Sequence, residues 1–254
     1  MKRIAKRIDE AQELTVFVVG DSITEGFRAT SPNNNYTAVF AKGLAERYAD
    51  CDCYVERYDG KRHPTPDAET LPLLRYDGPF VVREGSGKRI TVVKSGIGGN
   101  TVKRMLNRVD DFIGKEFGGK VADIYFVMAG INDALKNNPA KYVTVDVFGE
   151  HLETLIGAMK NGTPDSDIVF MTPTYNDRGE TAVSHLEPYS DKMKEVAERY
   201  GIPVIDQHAL WMAHLKPGAD GCGQGDWLAG DACHPSDIGH KAIAEEMLRA
   251  IFEN

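Results

Sequence analysis

Short apolar runs alternate with amphipathic stretches along most of this chain, and that alternation constrains its fold more than any other feature. LTVFVVG (14–20), KRITVVKSG (88–96), DIYFVMAG (123–130), DIVFMTP (167–173) and IPVIDQ (202–207) read as buried strands. Residues 36–49, 100–114, 147–160, 186–201 and 235–252 space their apolar side chains as helices do. Strands alternating with helices predict an α/β fold, a parallel sheet with helices on both faces. Sheets of this kind bind ligands beyond the C-terminal ends of their strands.

Residues 50–90 break the pattern. They carry Pro64, Pro66 and Pro72 and several aromatics, and FVVREGSGKRITVVK (80–94) reads as a hairpin around a Gly-containing turn. The expectation is one domain over 1–254, with an insertion at about 50–90. A length of 254 residues with 42% hydrophobic content suits that reading.

The formal charge of −8 argues against a nucleic-acid partner. No apolar run is long enough to span a bilayer, and MKRIAKRIDEAQELT has no apolar leader core. A cytoplasmic protein is expected, or a secreted one whose signal has been removed. The four cysteines, Cys51, Cys53, Cys222 and Cys233, show no zinc-type spacing and read as reduced thiols. Nothing in the residues calls for a cofactor or a metal. A homo-oligomer is compatible with the sequence but not specified by it.

Four segments fall where a strand ends or a helix begins, and so on the ligand-binding edge: GDSITEG (20–26), SGIGGNT (95–101), MAGINDA (128–134) and DACHPSD (231–237). Ser22 can serve as a nucleophile if a base takes its proton and donors hold the oxyanion. The alternative is that it caps the next helix. It does not sit in a G-x-S-x-G elbow. The D-x-x-H spacing of Asp231 and His234 lets one loop present both a carboxylate and an imidazole. The carboxylate can fix the tautomer and leave the other ring nitrogen for Ser22. A capping Asp and an ordinary loop His are the alternative. Pro235 suits the first turn of the last helix, and His240 reads as structural. Asn132 supplies a neutral side-chain donor after a strand, or else a cap. Gly98 and Gly99 allow backbone N–H groups to approach a ligand closely. The spacing is neither G-x-G-x-x-G nor a Walker loop.

Taken in order, the four blocks resemble the SGNH, or GDSL-type, hydrolase family, from residue 20 to 235. The resemblance implies Ser22 as nucleophile, with His234 and Asp231 completing a triad. It implies an oxyanion hole made of Ser22, Gly99 and the Asn132 side chain. It also implies a three-layer α/β/α, flavodoxin-like fold and ester hydrolysis through an acyl-enzyme without a metal. Ser22 and Gly99 are 77 positions apart, more than in compact members, and the 50–90 insertion accounts for the excess.

The insertion offers Tyr54, Arg57, Tyr58, Arg62, His63, Arg75 and Tyr76, which suit a sugar or simply a solvated loop. Trp211 and Trp227 flank a Gly-rich segment, and Asp177, Arg178 and Glu180 follow a strand. The substrate expectation is a small-molecule or saccharide ester with a short acyl group, as for a carbohydrate O-acetyl esterase. A lysophospholipase or thioesterase is the alternative within the family. A metallophosphoesterase and a non-catalytic binding module are the alternatives outside it.

Overall fold

The computed structural model describes residues 1–57, 80–114, 121–179, 185–215 and 226–253. Among the described residues seven strands form one sheet: β1 (Glu13–Gly20), β2 (Asp52–Arg57), β3 (Phe80–Arg83), β4 (Arg89–Gly96), β5 (Ile124–Met128), β6 (Asp167–Met171) and β7 (Val204–Ile205). Their order is β3-β2-β4-β1-β5-β6-β7, and every pairing is parallel except β2 with β3. β1 lies at the centre and is buried from Leu14 to Gly20. A strand covered on both faces needs an unbroken apolar run, and β1, β5 and β6 have one.

Helices cover both faces. α1 (Lys2–Glu10) and α3 (Tyr36–Arg47) pack against α8 (Asp237–Phe252), while α5 (Val145–Gly162) packs against α4 (Val102–Asn107) and α6 (Glu187–Tyr200). Two further helices are α2 (Ser22–Glu25) and α7 (Gln207–Leu215). The expected α/β architecture with a mostly parallel sheet is what the chain adopts.

Several local expectations are corrected. β4 does not form a hairpin with 80–83: β3 pairs with β2, and β4 runs parallel to β1 and β2. The stretch read as an insertion therefore supplies two strands, β2 and β3, and the first residues of β4 to the sheet, and residues 58–79 lie outside the described residues. The buried side chains Cys53 and Val55 account for the strand Asp52–Arg57. The helix expected over 100–114 stops at Asn107 and gives way to a short 3-10 turn, Val109–Asp111. Of 202–207 only two residues pair in the sheet. Residues 2–10, for which the sequence predicts no element, form α1. It is a helix whose Ile4 and Ile8, one turn apart, are buried, while Arg7 pairs with Asp167 at 2.9 Å. Ser236 caps α8, so Pro235 precedes the cap instead of opening the helix.

Among the described residues no helix is long and apolar enough to cross a membrane. Cys51, Cys53 and Cys233 are free and buried, and Cys222 lies outside the described residues.

Candidate active site

β1 ends at Gly20 and the chain turns at once into α2. Asp21, not Ser22, caps that helix, its carboxylate accepting from the Ile23 N–H at 2.9 Å. The cap reading of Ser22 is thus answered, and the hydroxyl is released for another partner. The turn is possible because β4 comes very close: a Cβ on Gly96 would run into the backbone of Thr24 and Glu25. Buried Arg108 ties the two strand ends together, donating to the carbonyls of Gly20 at 3.4 Å and Ser95 at 2.7 Å.

Ser22 Oγ lies 2.8 Å from His234 Nε2, and His234 Nδ1 lies 2.7 Å from Asp231 Oδ2. An ionised carboxylate can only accept, so Nδ1 carries the ring proton and Nε2 accepts from the Ser22 hydroxyl. Asp231 Oδ1 takes the backbone N–H groups of Cys233 at 3.1 Å and His234 at 3.0 Å. Those two bonds orient the carboxylate toward the ring. Arg28 adds an ion pair to Oδ2 at 3.0 Å. Burial alone would raise the Asp231 carboxyl. The His234 contacts and the Arg28 guanidinium override it and hold the group well below the usual carboxylate range.

The loop carrying Asp231 and His234 is fixed on several sides. Ala229 N–H donates to the His234 carbonyl at 2.8 Å, Ser236 N–H to Trp227 at 2.8 Å, and Asp177 N–H to Ala232 at 2.7 Å. Phe27 packs its ring 4.3 Å from that of His234.

The other expected residues lie beside this cluster. Asn132 Nδ2 donates to Asp21 Oδ2 at 3.3 Å, next to Ser22 in sequence. The Gly98 N–H donates to Glu25 Oε2 at 2.7 Å, and the Ile97 N–H to the Gly20 carbonyl at 3.2 Å. These bonds hold the loop of Gly99 against α2, with a Cβ position on Gly98 3.9 Å from Ser22 Cβ. Asp21 is pushed up to about 6, chiefly by burial, with the Ile23 N–H, His234, Lys141 and Asn132 partly offsetting it. Ser22, Gly99, Asn132, Asp231 and His234 thus gather on one sheet edge, from four separate stretches of chain.

Two residues of this cluster had no signal in the sequence. Lys141 Nζ donates to Asn132 Oδ1 at 3.2 Å. Arg28 reaches Asp231 across 203 positions from a backbone with φ of 70°. Among the other candidates, Asp177 and Arg178 do meet the Asp231–Ala232 backbone. Tyr54 does not lie on this edge: it sits mid-strand under the Arg89 guanidinium, where β4 begins. Trp211 is fully buried, and Trp227 packs edge-on against it at 5.3 Å. His240 is buried, with its Nε2 3.4 Å from the Phe27 carbonyl, in keeping with a structural role. Tyr58, Arg62, His63, Arg75, Tyr76 and Glu180 lie outside the described residues. Among the described residues no cluster of three or more His, Cys, Asp or Glu side chains could hold a metal.

The family model for GDSL-like lipases and acylhydrolases matches residues 75–242. The chain belongs to that family. It is a carboxylic ester hydrolase. The match takes in Gly99, Asn132, Asp231 and His234 and begins after Ser22. Among curated proteins this esterase is similar to an acetylxylan esterase of Geobacillus stearothermophilus, 30% identical over 173 residues. That alignment covers 64% of this chain and 72% of the relative. Among solved structures it is similar to a catalytic mutant of an acetylxylan esterase from the same organism. There the identity is 25% and the TM-score 0.61, with 94% of each chain covered. A lipase/acylhydrolase from Enterococcus faecalis shares the fold at 20% identity and a TM-score of 0.62, over 94% of this chain and 95% of the other.

Proposed function

We propose that this esterase removes short acyl groups, acetyl foremost, from esterified carbohydrates, with Ser22, His234 and Asp231 as its triad. His234 Nε2 takes the Ser22 proton as Oγ attacks the ester carbonyl. The tetrahedral oxyanion is held by the backbone N–H groups of Ser22 and Gly99 and by the Asn132 amide. Collapse expels the sugar alkoxide, which receives the proton from His234. Water then attacks the acyl-enzyme, with His234 again as base, releasing the carboxylic acid and free Ser22. Asp231 keeps the ring in the required tautomer and stabilises the imidazolium. His234 must start neutral to serve as the base.

The observation that carries this mechanism is the pair of contacts on His234, 2.8 Å to Ser22 Oγ and 2.7 Å to Asp231 Oδ2. The acyl preference and the sugar are supported by the acetylxylan esterase relative.

The test is hydrolysis of p-nitrophenyl esters from acetyl to decanoyl, and of acetylated xylooligosaccharides, by the wild type and Ser22→Ala, with and without EDTA. Turnover that peaks at acetyl, ignores EDTA and drops by at least about 10³-fold in Ser22→Ala is expected. A peak at long chains would move the substrate to lipids or thioesters while keeping the chemistry. Turnover that survives in Ser22→Ala would overturn the triad.

A further inference from the structure

Asn132 is gripped at both ends of its amide. Its Oδ1 accepts from Lys141 Nζ at 3.2 Å, and its Nδ2 donates to Asp21 Oδ2 at 3.3 Å. An ammonium has only donors, and an ionised carboxylate only acceptors. Turning the amide over would set its NH2 against the ammonium and its oxygen against the carboxylate. The two charges therefore select the same orientation. The NH2 carries two hydrogens, and Asp21 takes one of them.

The lysine reaches Asn132 because the loop after β5 closes on itself. The Val143 N–H donates to the Asp133 carbonyl at 3.0 Å, and the Lys141 N–H to Asn138 at 2.9 Å. This brings residue 141 back over residue 132. The ammonium also stands 2.9 Å from where a Cβ on Gly99 would be, between the two segments that carry the proposed oxyanion donors.

We propose that Lys141 is a positioning residue of this esterase, holding the Asn132 amide with its NH2 toward Ser22 so that it meets the oxyanion as a donor. The inference rests on the reading of Asn132 as an oxyanion donor. Without the lysine, one of the two charges that orient the amide is gone. The amide can then turn its oxygen to the developing negative charge, which destabilises the transition state and leaves substrate binding nearly unchanged.

A double-mutant cycle on p-nitrophenyl acetate at pH 8 tests it, with folding of each variant checked by circular dichroism. Asn132→Ala is expected to lower kcat by about 10²-fold or more. Lys141→Met is expected to lower kcat about tenfold with KM within about twofold, and Lys141→Arg, which keeps a donor, to restore most of it. In the Asn132→Ala background Lys141→Met should cost nothing further. A lysine effect of the same size in both backgrounds would mean that it acts without the amide, and would overturn the proposal while leaving the oxyanion reading intact. So would an unchanged kcat in Lys141→Met. A wild-type kcat in Asn132→Ala would instead overturn the oxyanion reading, and the proposal with it.

Discussion

Arg28 Nε donates to Asp231 Oδ2 at 3.0 Å, and that same oxygen faces His234 Nδ1 at 2.7 Å. One carboxylate oxygen therefore divides its charge between a guanidinium and the imidazole. The guanidinium is half exposed, so its pull is partly screened by solvent.

Removing Arg28 leaves more of the Asp231 charge to the ring, which favours the imidazolium. Arg28→Ala is therefore expected to move the acid limb of the kcat/KM profile upward. Activity at pH 6 falls while activity at pH 8 holds. The pH–rate profiles of the two proteins, recorded at low and high salt, check this. The difference should shrink as salt rises. A limb that stays in place, or moves down, would mean that the arginine only anchors the loop.

Gly99 has φ of +77°, a backbone that a side chain tolerates poorly, and a Cβ there would stand 2.9 Å from Lys141 Nζ. Gly99→Ala is expected to cost ~1–2 kcal/mol of stability from the backbone alone. The lysine can swing aside, since the clash is with the end of a flexible chain, but it then leaves Asn132. A fall in kcat larger than the stability loss explains is therefore expected. Urea unfolding and kcat measured on the same preparation separate the two effects. A variant with wild-type kcat would show that this loop is not part of the oxyanion site.

The central strands were legible because β1, β5 and β6 are covered on both faces, and burial on that scale leaves an unbroken apolar run. β2 was not legible: DCYVER alternates with polar residues, lies one strand from the sheet edge and adjoins a Pro-rich stretch. The apparent hairpin around 80–94 failed because local turn chemistry suggests neighbouring strands but does not determine pairing. Here β4 had a fully buried slot beside β1 and took it. Ser22, Asn132, Asp231 and His234 were visible because each stands at the end of a strand or the start of a helix. Arg28 and Lys141 were invisible for the opposite reason. A single cation in a loop carries no pattern, and its role arises from a contact 203 positions away, or from a loop folding back over nine residues.

Two buried carboxyls make the stability of this fold depend on pH between the acid range and neutrality. Asp133 is fully buried, and burial pushes it up from 3.8 to about 7, with the Val102 N–H offsetting only part of that. Asp21 is likewise raised to about 6. A carboxyl that holds its proton more tightly folded than unfolded contributes stability that is fully present below its unfolded value. That contribution is lost as the pH rises through the folded value. Both groups therefore destabilise the protein between about pH 4 and pH 7. Buried His240, lowered to about 4, works in the other direction below pH 6.5 and hides part of the effect in the wild type. Comparison with Asp133→Asn isolates it, since that side chain cannot ionise. As the pH rises from 5 to 8, the wild type is expected to lose roughly 2–4 kcal/mol relative to the variant. Urea unfolding of both proteins at four pH values across that range measures the difference directly. A constant offset between them would mean that Asp133 does not change protonation within that range in the folded protein.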